Sequence, residues 1–222
     1  MKIILIFGII GLFGIELSIA QAPDNNSPRF GNIKKSQTYI DSDNQFIAEV
    51  MKQFGTRQAA AKKSVELGWN YLQRGDDVMA MKRFNQAWIL DSTLVDTYWG
   101  FGAIMGMRNQ LEQSIYFMKR YYDSDPQNER IMVDLSISYL RYALTLKQKG
   151  LDKEWSEYTN KGKQLLKKTL ALNSKNANAN QQLAITYYHE NKLDSSKYYA
   201  VIANTLDPKI LNPKFRQAIG IE

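Results

Sequence analysis

The sequence predicts an all-α protein built from stacked, antiparallel helix pairs. Three observations carry that prediction. The groups Leu67-Gly68-x-x-Tyr71, Phe101-Gly102-x-x-Met105, Leu135-Ser136-x-x-Tyr139 and Leu183-Ala184-x-x-Tyr187 recur at offsets of 34, 34 and 48 residues. The pairs Asp91-Ser92, Asp125-Pro126, Asn173-Ser174 and Asp207-Pro208 recur at 34, 48 and 34, so two independent markers keep one register. Between them lie Ala80-x3-Phe84-x2-Ala87, Ser114-x3-Met118-x2-Tyr121, Gly162-x3-Leu166-x2-Thr169 and Ser196-x3-Ala200-x2-Ala203. Spacings of three and four put each group on one helical face, and the small member lets a neighbouring helix come close.

Composition narrows the chemistry. Of 222 residues, 44% are hydrophobic and 23% charged, the balance of a globular protein. Cysteine is absent, which excludes disulfides, thiolate-held metals, a thiol nucleophile and a lipidated N-terminal cysteine. With His189 the only histidine, a three-His metal site cannot form within one chain. No P-loop, Gly-x-Ser-x-Gly or Ser-x-x-Lys occurs, and Gly100-x-Gly102-x3-Gly106 has the wrong spacing for a dinucleotide fingerprint. The sequence therefore predicts no catalytic residue, no metal and no cofactor, and an exposed His189.

The elements follow in order. Residues 1–20 read as a signal peptide: Lys2, an apolar run of 13 residues from Ile3 to Ile15, then small residues ending at Ala20. Thirteen helical residues span about 20 Å, short of the ~30 Å hydrocarbon core, so a cleaved signal fits better than an anchor. The expected location is the periplasm or the exterior. Residues 21–40 show no period and read as a flexible leader, with Asn25-Asn26-Ser27 a glycosylation sequon in form. Residues 41–55 read as a capping helix. Ser42 and Gln45 stand at capping-box spacing, Phe46, Ile47, Val50, Met51 and Phe54 form one stripe, and Gly55 stops it. Two placements are open for this helix, against the first repeat or in the groove as a self-ligand. Repeats then occupy about 61–94, 95–128, 129–176 and 177–208 of a domain spanning 56–208. Gly75, Asn109, Gly150 and Asn191 stand where a left-handed residue ends each first helix. Residues 209–222 read as a tail or short cap closing the last repeat through Phe215 and Ile219.

These residues resemble the tetratricopeptide repeat (TPR), over Ala61 to Pro208. Ser64, Gly162 and 14 extra residues in the third repeat depart from the family's pattern. The resemblance implies a right-handed α-solenoid of about four helix pairs, with first helices lining a concave groove. It also implies a non-enzymatic scaffold for a protein or peptide partner. Family geometry places Val65, Trp69, Leu72 and Gln73 of repeat 1 on the groove, then Trp99 and Met107 of repeat 2. Arg130, Val133 and Ile137 of repeat 3 follow, with Asn178, Tyr188 and His189 of repeat 4. The family's clamp for a peptide carboxylate keeps only Arg130, so the groove is expected to be apolar and aromatic. Trp69 and Trp99 are either partner anchors or ordinary core. A carrier for a small amphipathic or glycan ligand is the second functional reading.

Residues 141–170 hold eight basic and three acidic side chains, +5 of the total +7. The run reads first as a solvated helix face, then as a surface for an anionic membrane or acidic protein. Nucleic acid comes last, because export argues against it. The 14-residue insertion, shared between the two helices of repeat 3, adds seven to each, close to two turns. That predicts a hairpin reaching ~10 Å past its neighbours. Tyr142, Leu146, Leu151 and Trp155 would stand at its tip, rimmed by Lys147, Lys149 and Lys153. The tip is either a docking site or a hairpin stapled only to itself.

Overall fold

The computed structural model describes residues 22–221, and the expected signal segment at 1–20 lies outside the described residues. Among the described residues there is no strand, and no helix is long and apolar enough to cross a membrane. The described residues form ten α-helices in order: α1 (Gln37–Phe54), α2 (Arg57–Gln73), α3 (Asp77–Leu90), α4 (Val95–Met107), α5 (Leu111–Ser124), α6 (Glu129–Gln148), α7 (Asp152–Leu172), α8 (Ala177–His189), α9 (Leu193–Leu206) and α10 (Pro213–Ile219). The helices α2/α3, α4/α5, α6/α7 and α8/α9 pair as four hairpins, each packed on the next.

Local chemistry sets the ends of these helices. Each hairpin turns on one left-handed residue: Gly75, Asn109, Gly150 and Asn191, with φ of 80°, 59°, 73° and 59°. Glycine takes that conformation freely, and asparagine is among the side chains that tolerate it best. The second helices end on Asp91, Asp125, Asn173 and Asp207, whose N–H groups return to the carbonyls four residues back. Asp91, Asn173 and Asp207 also accept, through Oδ1, the N–H of Thr93, Lys175 and Lys209. A short side chain that closes its own turn explains why only Asp or Asn stands at that position. The Thr93 hydroxyl on Asp91 holds that carboxyl below its ordinary value. Thr56, Asp76, Asn128 and Asn176 cap the following helices through their side-chain oxygens.

The small residues of the repeat are filled by large ones from the adjacent helix. Phe84 of α3 is fully buried between α2 and α4. A Cβ on Gly68 would lie 2.7 Å from its ring, and one on Gly100 would lie 2.3 Å from it. Phe84 therefore fits between repeats 1 and 2 only because neither position carries a side chain. Phe101, Ile104, Met105 and Phe117 continue that core. Met118, Ile131, Met132 and Leu135 form the next cluster, and Leu166, Ala179 and Leu183 the one after.

Helices α6 and α7 have 20 and 21 residues, against 13 and 14 in the pairs on either side. The extension is not free-standing, contrary to the expectation of an uncovered tip. Leu146 is buried, and Tyr142 donates its hydroxyl proton to Glu112 Oε1 at 2.5 Å. Glu112 pushes the Tyr142 hydroxyl up to about 12. Arg141 donates to Gly106 O and Asn109 Oδ1, in the turn of repeat 2. Lys147 donates to His189 O in repeat 4 and lies 4.3 Å from the Trp155 ring centre. Of the side chains expected at the tip, Leu151, Lys147, Lys149 and Lys153 are exposed, whereas Tyr142, Leu146 and Trp155 are not. Polar side chains at the mouths of the flanking turns reach the extension, and hydropathy patterning cannot register them.

Both ends of the stack are covered. Phe46, Ile47, Val50 and Phe54 of α1 pack on Ala60, Ala61 and Leu90, so this helix covers the outer end of repeat 1 and does not line the groove cavity described below. It begins at Gln37, five residues before Ser42, whose hydroxyl instead returns to Thr38 O. At the far end Leu211 and Ile219 bury against Ala184, Ala200 and Ala203.

The expected flexible leader is instead an ordered strap across the outer face. Asp24 closes it: its carboxylate accepts from the Asn26 N–H and the Ser27 hydroxyl, and its own N–H meets Phe30 O. Pro28–Asn32 forms a tight turn in which Arg29, Phe30, Gly31 and Asn32 all have positive φ, from 52° to 74°. Left-handed backbone costs roughly 1–2 kcal/mol per non-glycine residue, so burial of Phe30 and the contacts around it must offset that strain. Polar composition hid the strap because its partners lie 58 to 82 residues away.

Candidate functional site

A groove of about 560 Å³ runs along the inner face. It is lined by Trp69, Leu72 and Gln73 of α2, Trp99 of α4, Arg130, Val133, Asp134 and Ile137 of α6, and Asn176 and Asn178 at the start of α8. Each comes from a first helix or its cap, which is what makes this the inner face. The floor is aromatic. The Trp69 and Trp99 rings meet edge to face at 5.1 Å, Trp69 meets Phe84 at 5.5 Å, and Trp99 meets Tyr121 at 5.4 Å. Both indoles are thus half-buried wall, tied to the core on one side and open to the groove on the other.

The groove is less apolar than expected. Asp134 accepts the Trp99 indole N–H at 2.8 Å. Burial raises its carboxyl above the ordinary value, against the opposing pull of that hydrogen bond and of Arg130. Arg130, one helical turn earlier, is exposed, and Asn176 and Asn178 face it from the next repeat. The arrangement offers an aromatic surface, one carboxylate, one guanidinium and three amide groups: recognition chemistry, with no paired acid and base and no nucleophile. Among the described residues no group of three or more His, Asp or Glu could hold a metal ion.

Of the expected groove residues, Trp69, Trp99, Arg130 and Ile137 come together here, with Leu72, Gln73, Val133 and Asn178. Val65 does not: it is 7% exposed and belongs to the core under Trp69. Met107 is 59% exposed at the end of α4 and outside the cavity. Tyr188 stands beyond it, edge-on to Phe215 at 5.7 Å. Asp134 and Asn176 were missed. Asp134 had a signal: it is the one charged residue in the run Ile131–Ile137, one turn after Arg130. Side chains at i and i+4 share a helical face, so the pair was available from spacing alone.

A smaller cavity of about 70 Å³ adjoins the groove at Ile137. Leu140, Leu144, Trp155, Ile185 and His189 line it, so the repeat 3 extension walls one end of the inner face. His189 is half-buried there, not exposed, and burial lowers its imidazole below the ordinary value. The basic run at 141–170 does not form one uniform face. Lys161 pairs with Glu157, Lys163 with Glu190, Lys147 with His189 O and Lys168 with Pro126 O. Lys149, Lys153 and Lys167 are the exposed remainder of its lysines.

Solved structures with the same architecture place the fold. A thermophilic TPR protein from Thermus thermophilus superposes with a TM-score of 0.61 at 16% identity, over 72% of this chain and 79% of that one. A structure of MamA gives 0.53 at 17% identity, over 73% and 85%. MamA from Desulfovibrio magneticus RS-1 gives 0.53 at 12%, over 78% and 97%. No protein-family model and no curated protein matches the sequence. At these identities the likeness concerns the fold, and the fold is that of the tetratricopeptide repeat.

Proposed function

We propose that this chain of tetratricopeptide-repeat fold is an exported, non-enzymatic scaffold that binds a protein partner in its inner groove. The groove itself carries the reading: about 560 Å³, with Trp69 and Trp99 on its floor and Arg130, Asp134 and Asn178 converging from two further helices. Aromatic anchors surrounded by a few oriented polar groups are what a peptide-binding surface needs. The signal-like segment at 1–20 supports export. The walls offer hydrogen bonds and burial, with one carboxyl, Asp134, already engaged by the Trp99 indole, and no nucleophile beside it.

Trp faces beside a carboxylate and amides are also the chemistry of sugar binding, which favours a glycan ligand as the second reading. One experiment separates the two. Purified protein is titrated with an envelope-derived peptide library and with soluble glycans, following tryptophan fluorescence, for the wild type and for Arg130→Glu and Ile137→Glu. The scaffold reading expects peptides to shift the emission and both variants to lose that response with unchanged melting. Glycan-only binding establishes the second reading, and binding indifferent to both variants removes the groove from either.

A further inference from the structure

We infer that the outer face of repeats 1 and 2 carries a second peptide-binding site, separate from the groove, which this chain fills with its own residues 24–30. The observation is Asn85 on α3. It is fully buried, yet α3 and its neighbours give its amide no hydrogen-bond partner. Its Nδ2 donates instead to Ser27 O at 2.9 Å, Asn25 Oδ1 at 3.1 Å and Asn25 O at 3.3 Å, all in the strap. A buried amide without partners is costly, so the segment that covers Asn85 must satisfy it, and three acceptors of the strap do so. The Asn85 Oδ1 still has no partner beneath that segment. The strap therefore uses only part of what the site offers.

Arg108 supplies the second grip. Asp77 holds its Nε at 2.6 Å, and the free end of the guanidinium donates to Asn26 O at 2.6 Å and Asn26 Oδ1 at 2.7 Å. The Arg29 guanidinium then lies 5.4 Å from the Phe117 ring centre, and Phe30 buries its ring. Three of these five hydrogen bonds read main-chain carbonyls and two read Asn side chains, all within the turn that Asp24 closes. The ligand class is a turn-forming peptide: an Asn or Asp turn, then an aromatic anchor a few residues on. The strap meets that description only by holding Arg29, Phe30 and Asn32 in left-handed backbone, a strain that a competing peptide need not carry. The segment is thus a displaceable self-ligand.

The probe is a fluorescein-labelled synthetic peptide of residues 23–33, followed by anisotropy against the full mature chain. The expected result is weak binding to the wild type, whose site is filled, and at least tenfold tighter binding to Phe30→Asp, whose strap is released. Adding Asn85→Leu should abolish that gain, whereas Arg130→Glu in the groove should leave it unchanged. Failure of the groove reading therefore leaves this result intact. Should Phe30→Asp melt, the double variant Asn26→Ala/Arg29→Ala loosens the strap without touching the buried ring and faces the same outcomes. The inference is overturned if a folded, strap-released variant shows no saturable binding, or if binding survives Asn85→Leu.

Discussion

Trp99 of α4 donates its indole N–H to the Asp134 carboxylate of α6 at 2.8 Å, joining repeats 2 and 3 across the floor of the groove. The bond fixes one face of the indole against the wall and leaves a half-buried acid beside an exposed arginine.

That acid makes stability depend on pH. Burial raises the Asp134 carboxyl above its ordinary value of 3.8, so the folded chain holds this proton more tightly than the unfolded one. From that value up to the raised folded one, the contribution of Asp134 to stability falls as pH rises. Asp134→Asn keeps an acceptor for Trp99 and removes the titration. Urea unfolding should show the Asn variant gaining on the wild type as pH rises above the ordinary carboxylate value. A difference that is flat with pH contradicts the assignment. Asp134→Ala strands the indole N–H and should cost about 1–3 kcal/mol where the acid is protonated, and less as pH rises.

Gly100→Ala tests the wedge of Phe84 between repeats. On propensity alone the change gains roughly 1 kcal/mol in a helix interior. Here the new Cβ would lie 2.3 Å from a fully buried ring. Overpacking of that kind costs typically about 1–3 kcal/mol, so a net loss is expected in the urea midpoint. A stabilised variant would mean that Phe84 can move aside.

Asn109→Gly and Asn191→Gly should each stabilise the chain by roughly 0.5–1 kcal/mol, because both residues turn at φ 59° where asparagine is only tolerated. Loss of the Arg141 contact to Asn109 Oδ1 makes the gain smaller at 109 than at 191. Thermal melts of the two single variants compare them directly.

Removing seven residues from each helix of the repeat 3 extension should leave a folded protein that melts earlier. The deletion of 142–148 and 152–158 takes away buried Leu146, the Tyr142 bond to Glu112 and the Lys147 bond to His189 O. Full burial of a leucine alone contributes roughly 1.5–3 kcal/mol. An unchanged melting temperature would show that the braces to repeats 2 and 4 contribute nothing.

The division between sequence and structure follows the range of the forces involved. Helix pairs, their register, the left-handed residues at 75, 109, 150 and 191 and the Asp or Asn closures were legible. Each is decided within about four residues, by helical periodicity or by a side chain closing its own turn. The small residues also announced a close helix approach, though not that Phe84 would fill it.

Only the tertiary structure decided which groove residues converge. Trp69, Trp99, Arg130 and Ile137 meet because three helices stack with one particular curvature, and that curvature leaves Val65 in the core and Met107 outside. Asp134 joins Trp99 across 35 residues of sequence, Tyr142 reaches Glu112 across 30, and Arg108 reaches Asn26 across 82. Polar contacts at such separations leave no periodic trace. Their partners are chosen by where the stack places them, so a leader read as flexible became a strap, and a tip read as bare became a brace between repeats.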